Sequence, residues 1–175
     1  MRVTFIIILS YIFSSSLYSQ NLTIDELASL RKNGFANAEE FLSGKNWTFL
    51  EGRKPTPDKL GSAVFAFNKG EYNDKSKSFL DFLYNNTENE AICEHRIVLQ
   101  FFDRAKYNSY INRFKTLGCN LIKSEIEDGN IIKIYQGATT TFKTTILTEK
   151  NEMGATYTIY KLFILSNVDY SLHFE

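Results

Sequence analysis

Asp103-Arg104-Ala105-Lys106-Tyr107-Asn108-Ser109-Tyr110-Ile111-Asn112-Arg113-Phe114-Lys115-Thr116-Leu117-Gly118 is the stretch on which the fold turns. Tyr107, Tyr110, Ile111, Phe114 and Leu117 recur at the i, i+3, i+4, i+7 spacing of one buried helix face. Asp103 stands where an N-cap belongs and Gly118 where a helix ends. This helix sits between two runs of strand-like sequence, so the chain divides around it.

Before it lie Trp47-Thr48-Phe49 and three segments at 63–68, 76–84 and 92–102. Ala63, Phe65 and Phe67 alternate with their neighbours, as do Ser78, Leu80, Phe82 and Tyr84, which is the period of half-buried antiparallel strands. After it come four more segments, at 120–127, 131–136, 139–148 and 155–165. Asp128-Gly129 is a two-residue hairpin signal and Gly137-Ala138 a weaker one. Residues 51–61 hold both prolines, Pro55 and Pro57, among charged side chains, and read as an exposed excursion from the sheet.

Two short helices are expected ahead of the first strand. Thr23 with Glu26 forms a capping box, Leu22 and Leu27 staple across it, and Asn33-Gly34 stops the helix. Asn37 repeats the N-cap signal for a second helix that ends at Gly44, with Ala38, Phe41 and Leu42 on its apolar side. Helix, short break and four strands therefore occur twice, and residues 41–49 match residues 113–121 in role. The expected fold is α+β: tandem α-β-β-β-β units, at 20–102 and 103–166, forming about eight antiparallel strands in one or two sheets, helices on one face, and a tail at 167–175. A unit this small is marginal alone, which favours a shared core.

This order of elements resembles the tandem helix and four-strand units of the β-lactamase inhibitor protein family and, more loosely, small outer-membrane-assembly lipoproteins. The resemblance spans residues 23–165 and carries no residue-specific motif; the second unit has one clear helix, and the lipid-bearing Cys of those lipoproteins is absent. It implies an exported binding scaffold.

Residues 1–19 read as a signal peptide. Met1-Arg2 is the charged start, residues 3–13 are apolar apart from Thr4 and Ser10, and residues 14–19 are rich in small side chains. The mature chain then begins near Gln20 or Asn21, exported to the periplasm or beyond. The apolar run is too short to cross a bilayer, and stable membrane insertion is not expected. With 20 basic and 20 acidic residues the formal charge is zero, so nucleic-acid binding lacks its electrostatic drive. Aromatic content is 15 %, made of 15 Phe and 10 Tyr against one Trp, in keeping with a sheet-dominated core.

Cys93 and Cys119 are either one disulfide, permitted by export, or two buried thiols. Cys93-Glu94-His95 is the one nucleophile-like cluster. On a strand Cys93 and His95 share a face ~7 Å apart, too far for a direct hydrogen bond, and the face continues through Ile97, Leu99 and Phe101 as core. His173 falls in the expected tail. Two His residues and no CxxC or HExxH leave no metal-ligand set, and no glycine-rich phosphate loop follows a strand, so no cofactor is expected. The residues thus favour a non-enzymatic exported module that binds a protein, peptide or envelope component. Arg53 in the proline-bearing segment is the first position to test, since Arg often anchors interfaces. A carrier of a small apolar ligand and an enzyme built on Cys93 and His95 are the alternatives.

Overall fold

The computed structural model describes residues 22–69, 76–85 and 95–174. Helix α1 (Ile24–Asn33) starts from the expected capping box: the Thr23 hydroxyl accepts from the Glu26 backbone N–H, and the Glu26 carboxylate accepts from the Thr23 N–H at 2.8 Å. Leu22 and Leu27 are fully buried beside it. A 3₁₀ turn (Phe35–Asn37) leads into α2 (Ala38–Ser43). Contrary to expectation, the Asn37 side chain does not cap α2; its amide instead donates 3.0 Å back to the Asn33 carbonyl, closing the end of α1. Gly44 stays right-handed, and the reversal into the first strand falls on Asn46, φ 63°.

The strands are β1 (Trp47–Arg53), β2 (Gly61–Phe67), β3 (Ser78–Tyr84) and β4 (His95–Phe101). After α3 (Arg104–Thr116) come β5 (Asn120–Glu127), β6 (Asn130–Gln136), β7 (Thr140–Lys150) and β8 (Thr156–Ser166). Asp103 caps α3 by accepting from the Ala105 and Lys106 amides. Leu117, expected on the buried face, is the C-cap residue and is largely exposed, because the helical rotation stops at Thr116. Asp128 and Gly129 both take positive φ, the conformation of a type I′ hairpin turn.

All eight strands form one antiparallel sheet in the order β1-β2-β3-β4-β8-β7-β6-β5. The last strands of the two units join them, with Ile97 opposite Ile164 and Phe101 opposite Tyr160. The order reads the same from either edge once the units are exchanged. The likeness extends to single residues. Asn46 and Gly118, equivalent in the sequence match, both have positive φ where a helix hands over to a strand. The register of β1 slips between Phe49 and Glu51, and that of β5 slips at the equivalent place, between Leu121 and Lys123.

One face of the sheet carries α1, α2 and α3 over a core that both units share. Phe65, Phe82, Ile97, Leu99, Phe114 and Ile164 are fully buried there. Phe114 stacks on Phe142 with centroids 4.4 Å apart, Tyr107 stacks on Tyr160 at 4.8 Å, and Tyr110 donates 2.8 Å to the Leu22 carbonyl. The abundant aromatics thus pack on one another and tie α3 to the start of α1.

The expected C-terminal tail is instead a helix, α4 (Asn167–His173), and it packs on the opposite face of the sheet. Tyr170 is buried against Ile132, Ile134 and Leu165, whose side chains alternate with those of the main core. The helix begins with Ser166, whose hydroxyl accepts from the Asp169 amide at 3.0 Å. Ser166-Asn167-Val168-Asp169 is a capping sequence followed by apolar Tyr170 and Leu172, a signal legible in the chain but obscured by its nearness to the terminus.

Candidate functional site

Strand alternation assigns residues to the sheet face away from α1–α3, here the outer face. The bulge at Leu50 shifts the parity of β1, so that Glu51 pairs with Val64 and Arg53 with Ser62. Val64 in turn pairs with Asp81. Glu51, Val64 and Asp81 consequently stand in one row across three strands, with Arg53 and Ser62 in the adjacent row. The excursion expected at 51–61 is thereby shortened: Glu51–Arg53 belong to β1, because the bulge lets the ladder continue to Ser62, and only the segment beyond leaves the sheet, with a bridge between Thr56 and Lys59.

These side chains enclose an open cleft of about 330 Å³ lined by Glu51, Gly52, Arg53, Ser62, Val64 and Asp81. Ser62 donates a 2.6 Å hydrogen bond to Oδ1 of Asp81. Burial pushes the Asp81 carboxyl above its ordinary range, and nearby Glu51 adds to that; the Ser62 bond and the Arg53 charge oppose it. A half-buried carboxylate with one donor is thus held on the floor of the cleft with an exposed guanidinium at its rim.

The same face of the second unit is closed by α4. Arg96 of β4 forks onto Asp169, with Nε 2.8 Å from Oδ2 and Nη2 2.7 Å from Oδ1, and His173 Nδ1 lies 3.1 Å from Oδ1. The Phe174 ring lies under both Arg96 and Lys143, at 5.5 and 5.2 Å. Among the described helices α4 is the one on this face, and it meets β7 and β8. It does not reach the cleft.

No family model, curated protein or solved structure matches the chain.

Of the other sequence candidates, Cys93 and Glu94 lie outside the described residues, and so does the pairing of Cys93 with Cys119. The Cys119 side chain is half-buried, and burial raises the pKa of its thiol, which disfavours the nucleophilic thiolate. It borders a hollow of about 400 Å³ shared with Asp25, Lys32, Leu117, Thr139 and Phe142. His95 faces Phe82, ring centroids 5.6 Å apart, and bonds to the backbone of Arg31. Its Cε1 lies 3.2 Å from where a Cβ on residue 34 would stand, so Gly34 is fixed both by its positive φ and by this ring. Burial lowers the His95 pKa.

Among the described residues no group of three or more His, Cys, Asp or Glu is placed to hold a metal, and no helix is long and apolar enough to cross a membrane. Sequence reasoning reached Arg53 by its residue type and missed Ser62 and Asp81. Asp81 was the available signal: a carboxylate amid Ser78-Phe79-Leu80-Asp81-Phe82-Leu83-Tyr84, at a strand centre where charge is disfavoured.

Proposed function

We propose that this chain is an exported, non-enzymatic binding module whose outer sheet face engages a protein or peptide of the cell envelope at the cleft between Arg53 and Asp81. The observation that supports this reading is Asp81 itself, a carboxylate half-buried at the centre of a strand, with burial pushing its pKa up, on the part of the outer face that α4 leaves uncovered. Holding an anion there is unfavourable for folding unless a partner compensates it. Two carboxylates, Glu51 and Asp81, against the single guanidinium of Arg53 suit a segment that presents a basic or hydrogen-bond-donating side chain.

The test is affinity capture from the organism's own envelope with the wild type, Arg53→Ala, Asp81→Asn, and Arg113→Ala as a control on the helical face. Capture of a discrete partner by wild type and control, weakened about tenfold or more in the two cleft variants, is the expected result. Asp81→Asn should at the same time raise the urea midpoint, since the amide keeps the Ser62 partner without a charge to desolvate. A partner held equally well by both cleft variants would remove recognition from this face.

A further inference from the structure

The strand β5 forms one edge of the sheet, and its outer backbone is unpaired among the described residues. It is exposed along nearly its whole length and regular from Lys123 to Glu127, beyond its bulge at Ile122, with Ile126 77 % and Leu121 52 % accessible and Ile122 also exposed. Such an edge is a template for another strand. The opposite edge, β1, runs directly into Lys54, Pro55 and Pro57, which cannot extend a ladder. No proline interrupts β5.

The direction of its free groups follows from the hairpin. The type I′ turn at Asp128-Gly129 brings Glu127 opposite Asn130, so Glu127 directs its N–H and C=O toward β6. Alternation then turns Glu125 and Lys123 toward β6, and leaves the donors and acceptors of Ser124 and Ile126 pointing out of the sheet. Side chains follow the same alternation: Lys123 and Glu125 share the outer face, where Lys123 Nζ lies 2.9 Å from Glu125 Oε1.

We propose that two copies of this chain join edge to edge through β5, antiparallel about a twofold axis at Ser124, to make one continuous sheet. In this register Ser124 meets its own copy through outward-facing backbone groups, Ile122 stands opposite Ile126, and Lys123 stands opposite Glu125 twice over. The two ion pairs within the strands become a square of alternating charge. Shifting the axis to Ile126 would instead set Glu125 against Glu127, and shifting it to Ile122 would set Lys123 against Leu121. Of these three registers, only that at Ser124 pairs opposite charges; an axis at Glu125 would set Lys123 against Glu127 but Glu125 against its own copy. A twofold contact of one surface with itself is the commonest way a chain closes into a dimer, and the exposed Ile126 is brought beside its counterpart's β5. This contact lies at the opposite edge from the Arg53 cleft and does not depend on what the cleft binds.

Sedimentation equilibrium of the purified chain over a wide concentration range should give a reversible rise from monomer to dimer mass. Glu125→Lys and Lys123→Glu each place like charges opposite one another at both contacts, and each should weaken association about tenfold or more, with far-UV circular dichroism unchanged. The doubly exchanged chain, Lys123→Glu with Glu125→Lys, should associate like wild type. An equimolar mixture of the two single variants should form a heterodimer, since one strand then presents two Glu to two Lys. A wild type that stays monomeric throughout, single variants that dimerise unchanged, or a mixture that fails to associate would each overturn the proposal.

Discussion

The two units follow one plan and differ in what they lay on the outer face of the sheet. Both turn from helix to strand through a residue of positive φ, Asn46 or Gly118, and both carry a bulge two to four residues into the edge strand. Their helical faces are closed alike, with Leu42 and Phe114 fully buried at matching positions. On the outer face the second unit has Ile132, Ile134 and Leu165 under Tyr170 of α4, whereas the first has Val64 with Asp81 and Ser62. A sheet face that is apolar must be covered, and one that carries a carboxylate with a rim of charge can remain in water. The difference teaches that the helical side serves stability in both units, while the same plan tolerates two different outer sides.

The strongest challenge to the matched helical faces is the pair of truncations Phe114→Ala and Leu42→Ala. Phe114 loses stacking on Phe142 and contact with Tyr135, so its truncation should cost about 3–5 kcal/mol; Leu42, smaller but equally buried, should cost about 2–5 kcal/mol. Urea denaturation of each should show one transition for the whole chain, because the units share a core. Two separate transitions, or a negligible loss at either position, would break the equivalence of the units.

Asp169→Ala tests how the second unit closes its outer face. The carboxylate is nearly inaccessible and accepts the fork from Arg96, itself mostly buried. Removing it takes away the carboxylate onto which the guanidinium forks, and should cost about 3–5 kcal/mol. Hydrogen exchange at β6 and β8 should quicken as α4 detaches, while β2 and β3 keep their protection. Unchanged protection of β6 and β8 would mean that Tyr170 alone holds the helix.

Most of the fold could be read from the chain because alternation and helical spacing depend on residues close in sequence. Phe65, Leu80 and Phe82 announce their strands locally, and Asp103 with Gly118 brackets α3. The pairing of β4 with β8 depends on contacts between Phe101 and Tyr160, or Ile97 and Ile164, that no local pattern encodes. Whether one sheet or two would form was therefore open. The helix α4 was missed because seven residues near a terminus give too short a period to weigh, although its Ser166 cap was present. The cleft was half legible. Arg53 stands out by type, but its alignment with Asp81 depends on a one-residue bulge at Leu50, and without that bulge Arg53 would point to the helical face.

The smallest expected effect concerns His95, the first residue of β4, which packs within the first unit. Its ring is half-buried between Phe82 and Gly34, and burial holds its pKa below the ordinary 6.5; the nearby Arg31 charge acts the same way, against a hydrogen bond that the ring donates to the Arg31 backbone, which favours the charged form. The folded state thus binds a proton less readily than the unfolded chain. Between the lowered value and 6.5 the unfolded chain holds more protons, so stability rises with pH through this window and falls as the solution is acidified below 6.5. His95→Gln removes that titration and should flatten the profile there. Subtracting the variant's pH profile from that of the wild type isolates the His95 slope. A difference curve of zero slope would show the ring to be as well solvated as in the unfolded chain. A slope of opposite sign would mean that the imidazolium is stabilised in the fold, and would make His95 a charged group between α1 and the sheet instead of part of the packing there.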